Sequence, residues 1–166
     1  STGEVLGLSA SYGEAFYKAQ EATQSKLPLE GTVLISVNRK DKEEIVEVAQ
    51  MLHEDGFHIV ATGGTCDILN EAGIPAEKIK KLFEGRPNVL DAITNGKFDM
   101  IINSPIGKDS ANDDSYLRKA AIKAKIPYMT TIAAAKATAE GIRFVKANSD
   151  SPIKSLQELH AEIHDK

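Results

Sequence analysis

Cysteine, tryptophan and long apolar runs are what this chain most lacks. Its one cysteine, Cys66, excludes an internal disulfide framework and fits a reducing compartment. A catalytic role for that thiol would need a histidine or acid beside it, and the sequence places none nearby. No segment approaches the roughly eighteen apolar residues of a membrane-spanning helix, and no signal peptide opens the chain. The expectation is a cytoplasmic protein with no membrane partner. Strong charge of either sign is also missing, and a formal charge of −4 argues against a nucleic-acid binder. His53, His58, His160 and His164 have no zinc-type spacing with further ligands in reach, so no metal is expected.

What is present suits one globular domain. With 166 residues, 42% of them hydrophobic, the chain can bury a core without a metal or disulfide staple. The stretch Val60-Ala61-Thr62-Gly63-Gly64-Thr65 organises the reading. Before it, Phe57-His58-Ile59-Val60 has strand length and composition. After it, Cys66 to Gly73 has helical spacing. Two glycines let the backbone approach a ligand closely, and the helix start that follows offers unpaired N–H groups to an anion. The same segment also reads as an ordinary β–α turn with Thr65 as N-cap.

The other elements follow in order. Glu14–Gln24 carries Ala15, Phe16, Ala19 and Ala22 on one helical stripe that needs another surface to cover it. Ser25-Lys26-Leu27-Pro28 reads as a linker. Thr32–Val37 is a nearly continuous apolar run, the mark of a strand buried on both faces. A helix spans Asp41–Asp55, with Ile45, Val48, Ala49 and Leu52 inward. A third strand is expected at Ile79–Leu82, then a short helix from Asn88 to Thr94 and a fourth strand at Asp99–Asn103. A loop spans Ser104–Asp113, and a helix spans Asp114–Lys125. Tyr128–Thr131 reads as the fifth strand, and Ala133–Glu140 as a small-residue helix stopped by Gly141. A turn at Ser149–Pro152 and a helix at Ser155–Ile163 close the chain.

This alternation predicts an α/β fold with helices on both faces of one parallel sheet. Ligands bind such sheets beyond the carboxyl ends of the strands. Ser36, Asn38 and Lys42 would stand there, with Thr62 to Thr65, Lys81, Asn103 and Ser104. This set of hydroxyls, amides and two lysines, with no carboxylate, suits a phosphomonoester.

Leu34-Ile35-Ser36-Val37, Asp41-Lys42 and Ala61-Thr62-Gly63-Gly64-Thr65 resemble the methylglyoxal-synthase-like domain. Glu84-Gly85-Arg86-Pro87, Ile101-Ile102-Asn103 and Tyr128-Met129-Thr130-Thr131 narrow the likeness. Together they look like the C-terminal regulatory domains of bacterial-type carbamoyl phosphate synthase large subunits. The opening Ser1–Gly7 resembles the end of that enzyme's second ATP-grasp unit. Residues 1–28 would then be a tail and linker, and 29–166 the regulatory domain.

The resemblance implies a three-layer α/β/α fold with five parallel strands in the order 3-2-1-4-5. It implies a nucleoside monophosphate effector, UMP or IMP. Lys42, Thr62, Gly63, Gly64, Thr65 and Lys81 would hold the phosphate, and Ser36, Asn103 and Ser104 the base and ribose. It also implies part of an ornithine site at Asp113, Tyr128 and Thr130, completed by the catalytic domain. The parent would be a ligase using ATP with Mg or Mn and a glutaminase small subunit, serving pyrimidine and arginine synthesis. This domain itself would carry no cofactor. Pro105 stands where some members have Thr, which removes a hydroxyl and an N–H donor. Two rivals remain open. One is a methylglyoxal synthase-type lyase acting on dihydroxyacetone phosphate, which needs a general base. That synthase has its aspartate where this chain has Arg86. The other is a self-associating module whose pocket is vestigial. The cyclohydrolase half of the bifunctional purine enzyme shares several features, but its Gly-Arg-Val-Lys-Thr run is missing here.

Overall fold

Val33, Leu34 and Ile35 have no solvent exposure, as a strand with helices on both sides requires. They form the centre of β1 (Thr32–Ser36). In the computed structural model, which describes residues 3–23, 26–105 and 111–148 and only the backbone of 111–113, β1 is the middle strand of the sheet. The expected turn and helix beyond Ser149 lie outside the described residues. The sheet has five strands in the order β3-β2-β1-β4-β5, all paired in parallel. The others are β2 (His58–Thr62), β3 (Glu77–Ile79), β4 (Met100–Asn103) and β5 (Tyr128–Met129).

Side chains alternate between the two faces along each strand, and so divide the core in two. Val33, Ile35, Ile59, Ala61, Met100 and Ile102 pack under α2 (Lys42–Glu54), α3 (Gly63–Glu71) and α6 (Ile132–Ala147). Leu34, Val60 and Ile101 pack under α4 (Val89–Thr94) and α5 (Ala111–Lys123). The α2 face is the expected set of Ile45, Val48, Ala49 and Leu52. Truncating Leu34, which no helix shift could replace between the layers, would cost about 2–5 kcal/mol.

α1 (Tyr12–Ala22) covers α6. Ser11 caps it by accepting from the Glu14 amide at 3.3 Å. Its most buried residues are Gly13, Glu14 and Tyr17; of the expected stripe, Phe16 packs half-buried against the core, Ala15 and Ala19 are half-buried and Ala22 is exposed. Gly13 sets the rotation of the helix, because it lies against Gly141 of α6 so closely that a methyl on Gly141 would sit 2.5 Å from the Gly13 carbonyl oxygen.

Several boundaries differ from the sequence expectation. Gly141 does not stop α6, which continues to Ala147. β3 lies at Glu77–Ile79 instead of Ile79–Leu82, because the backbone turns into a 3-10 turn at Leu82–Glu84 and the Lys81 amide donates to the Glu84 carboxylate at 2.8 Å. β5 ends at Met129, since the Thr131 hydroxyl accepts from the Ala134 amide and begins α6. α5 is already helical at Ala111, so it takes in the last three residues of the expected loop.

Candidate effector site at the carboxyl edge of the sheet

The register brings the strand ends level. Ser36 pairs with Asn103, and Ile35 pairs with Ala61, so Thr62 stands beside Ser36. Ser36, Thr62, Thr65, Asn103 and Ser104 are all buried, an unusual concentration of polar side chains. Burial on this scale demands partners. The Thr62 hydroxyl donates to the Ser36 hydroxyl at 2.7 Å. The Thr65 hydroxyl accepts from the Val37 amide at 3.3 Å, which ties the first turn of α3 to the end of β1.

The helix begins earlier than expected. Its N-cap is Thr62 and Gly63 is its first residue, so Thr65 is an interior residue of the first turn and not the cap. Thr62 spends its hydroxyl on Ser36 and makes no capping bond. The first amides of α3 are therefore without a side-chain cap, which leaves donors and a partial positive charge facing outward. Gly63 has φ +34, a backbone conformation that side chains disfavour.

Lys42 reaches this turn from the start of α2. A methyl on Gly64 would lie 2.6 Å from its Nζ, so the missing side chain makes room for the ammonium. Among the described residues, Lys42 has no carboxylate partner. Lys81 follows β3 on the outer side of β2, with its ammonium 5.9 Å from the centre of the exposed Phe83 ring. Asn38 closes the other side of the α2 turn. Its Oδ1 accepts from the Lys40 and Asp41 amides at 2.8 and 3.1 Å.

The β4–β5 side is different. Asn103 Nδ2 donates to the Tyr128 hydroxyl at 2.7 Å and to Asp114 Oδ1 at 3.0 Å. Burial pushes the Tyr128 phenol above its ordinary pKa, against the opposing effect of the Asn103 hydrogen bond. Asp114 thus brings a carboxylate onto Asn103, a member of the strand-end set that was expected to contain none. The sequence reading named its neighbour Asp113, whose side chain lies outside the described residues. Thr130 is exposed just past β5. Ser104 is buried beside Asn38, and Pro105 is exposed.

Arg86 is an exposed side chain paired with Asp91. Both Asp91 oxygens are engaged, one also by the Asn88 amide at 2.9 Å. The Arg86 pairing holds the Asp91 carboxyl below its ordinary pKa, which makes it a poor proton acceptor. No group of three or more histidine, cysteine or acidic side chains among the described residues is gathered to hold a metal. Burial raises the Cys66 thiol pKa, the direction of an unreactive cysteine.

The sequence profile of the MGS-like domain matches residues 44–130, which span β2 to β5 and most of α2. The chain belongs to the MGS-like domain family. The C-terminal section of the carbamoyl phosphate synthase large chain of Methanopyrus kandleri is 47% identical over 161 residues, covering 96% of this chain and 30% of that one. The carbamoyl phosphate synthase large chain of Archaeoglobus fulgidus is 47% identical over 163 residues, covering 98% of this chain and 15% of its own length. That of Acidobacterium capsulatum is 47% identical over 161 residues, with 97% and 15% covered. This MGS-like chain therefore spans between 15% and 30% of the relatives it matches. A methylglyoxal synthase from Elizabethkingia anophelis superposes with a TM-score of 0.53 at 17% identity, covering 66% of this chain and 76% of that one. At that identity the likeness speaks for the fold alone. No helix among the described residues is long and apolar enough to cross a membrane.

Proposed function

We propose that this MGS-like domain is the regulatory segment of a carbamoyl phosphate synthase large chain and binds a nucleoside monophosphate, UMP or IMP, at the carboxyl edge of its sheet. The observation that carries this reading is the Lys42 ammonium held over Gly64, beside the uncapped first turn of α3. Charge and directed donors meet there, which suits a phosphate dianion. Thr62, Thr65, Gly63 and Lys81 complete the phosphate cradle, with the hydroxyl bonds to Ser36 and Val37 exchanged for ligand oxygens. Ser36, Asn103 and Ser104 meet base and ribose. Pro105 can offer them neither a hydroxyl nor an N–H.

The ornithine half-site draws on Tyr128, Thr130 and an acid from the start of α5. Asp113 is the acid the resemblance implies, and its neighbour Asp114, bonded to Asn103, is a second carboxylate at that end of α5. The remaining contacts would come from a preceding catalytic unit, for which residues 1–28 are the tail and linker and α1, seated on α6, the mechanical link. In that setting the domain makes no covalent change of its own. The parent, cytoplasmic and paired with a glutaminase subunit, would do the ATP-dependent ligation with Mg or Mn. Effector binding alters that activity only through different affinity for two arrangements of the whole enzyme.

Calorimetric titration of the chain with UMP, IMP, uridine and ornithine tests the reading. Binding of either nucleotide, with none by uridine, is the expected result. Equal binding of uridine and UMP, or no binding by any nucleotide, would overturn it. Methylglyoxal formation from dihydroxyacetone phosphate would replace it with the lyase reading, for which Asp114 would be the base to examine.

A further inference from the structure

Asn38 makes more hydrogen bonds than any role as a strand end requires. Its Oδ1 accepts the Lys40 and Asp41 amides. Its Nδ2 shares two hydrogens among three acceptors, Asp41 Oδ2 at 2.6 Å, Ser104 Oγ at 3.2 Å and the Pro105 carbonyl at 3.4 Å. Its own amide donates to the same Ser104 Oγ at 3.0 Å. One side of the residue thus holds the turn that begins α2, and the other holds the chain leaving β4.

These two segments carry the groups on which the proposed effector site depends. Lys42 is the residue after Asp41, so the direction in which its side chain leaves α2 follows the turn that Asn38 caps. Ser104 accepts from Asn38 twice, which leaves its own hydroxyl proton for another partner. The sheet alone does not fix this relation. Beyond the Ser36–Asn103 pair, the backbone link is the Ser104 amide donating to the Ser36 carbonyl at 3.0 Å, and it leaves side chains at both sites free to turn.

We infer that Asn38 is a positioning residue for the anion site: it touches no ligand, and holds Lys42 and Ser104 in fixed relation across the β1–β4 switch. This rests on the effector reading above. A site with its groups already placed binds more tightly, because less freedom is lost when the ligand arrives.

Asn38→Ser separates the two halves of the role. Serine keeps a capping acceptor for the turn amides, but its side chain is too short to reach Ser104 and Pro105, so of the links to the chain leaving β4 only the backbone amide bond to Ser104 remains. UMP titration of the native chain, Asn38→Ser, Ser104→Ala and the double variant forms a cycle, with melting temperature measured beside it. Asn38→Ser is expected to weaken UMP about tenfold, a size typical of losing a placed hydrogen-bonding group. Its melting temperature should stay near native, and the double variant should bind no worse than Ser104→Ala alone. Such non-additivity is the sign of residues acting through each other. Unchanged affinity in Asn38→Ser, or strictly additive losses, would overturn the inference. Failure of the native chain to bind UMP would instead sink the effector reading. If Asn38→Ser does not fold, Asn38→Thr, which also keeps a hydroxyl acceptor, lacks the amide donor and adds no charge, takes its place in the cycle.

Discussion

At the β1–β2 half of the sheet edge, a lysine and uncapped helix amides surround buried hydroxyls, whereas at the β4–β5 half one asparagine amide is shared between a phenol and a carboxylate. Both halves rise from the same sheet, within one layer of residues. The first is built to meet negative charge, and the second carries negative charge of its own. The difference teaches that a doubly wound sheet places chemistry by strand register, while the sign of each half depends on what the adjoining helices bring. Here α2 brings Lys42 and α5 brings Asp114.

The sharpest way to break this comparison is Lys42→Ala. Removal of a charge-assisted contact should weaken UMP by about 10- to 100-fold, since such bonds contribute about 1.5–3 kcal/mol. Calorimetry checks it, and a melting temperature near native would assign the loss to the site. Gly64→Ala comes next. Its methyl would displace the Lys42 ammonium, so affinity should fall about tenfold while stability holds or rises, alanine being favoured over glycine in a helix by roughly 0.5–1 kcal/mol. A drop in stability without a loss of binding would show that the ammonium does not serve the ligand.

On the other half, Tyr128→Phe should lower stability by about 1 kcal/mol by leaving Asn103 with one acceptor fewer. Urea melts measure this, and UMP affinity should change far less than in Lys42→Ala. The smallest effect is in pH. Burial raises the folded-state pKa of Tyr128, so the neutral phenol is the favoured form. Its contribution to stability is fully present below the unfolded value of about 10 and is lost as pH rises through the higher folded one. The difference in alkaline ultraviolet titration between the native chain and Tyr128→Phe should therefore show a phenol ionising above 10.

Much of this was legible from one chain. Continuous apolar runs announced the buried strands, and Ile45, Val48, Ala49 and Leu52 declared the inner face of α2, because local periodicity follows directly from backbone geometry. Ser36, Thr62 and Asn103 were found as strand ends, and the register sets them side by side. Gly141 was misread because a stopping glycine and a crossing glycine look alike without the partner helix. Asp114 was missed for a related reason. Successive helical residues point about 100° apart, so the residue that meets Asn103 depends on how α5 is rotated against the sheet. The described part of α5, from Ala111, opens on Ala-Asn-Asp-Asp-Ser, a stretch with no apolar pattern to mark its phase.

The amino-acid order by itself determined the elements, the two-faced core and the sheet edge that would carry the chemistry, since strand and helix periods and glycine turns are local properties. Only the tertiary structure decided which groups meet there. The ammonium over Gly64, the amide shared by Tyr128 and Asp114, and the Asn38 bridge each join segments distant in the chain, and which partners meet depends on helix phase and strand register that no local pattern records.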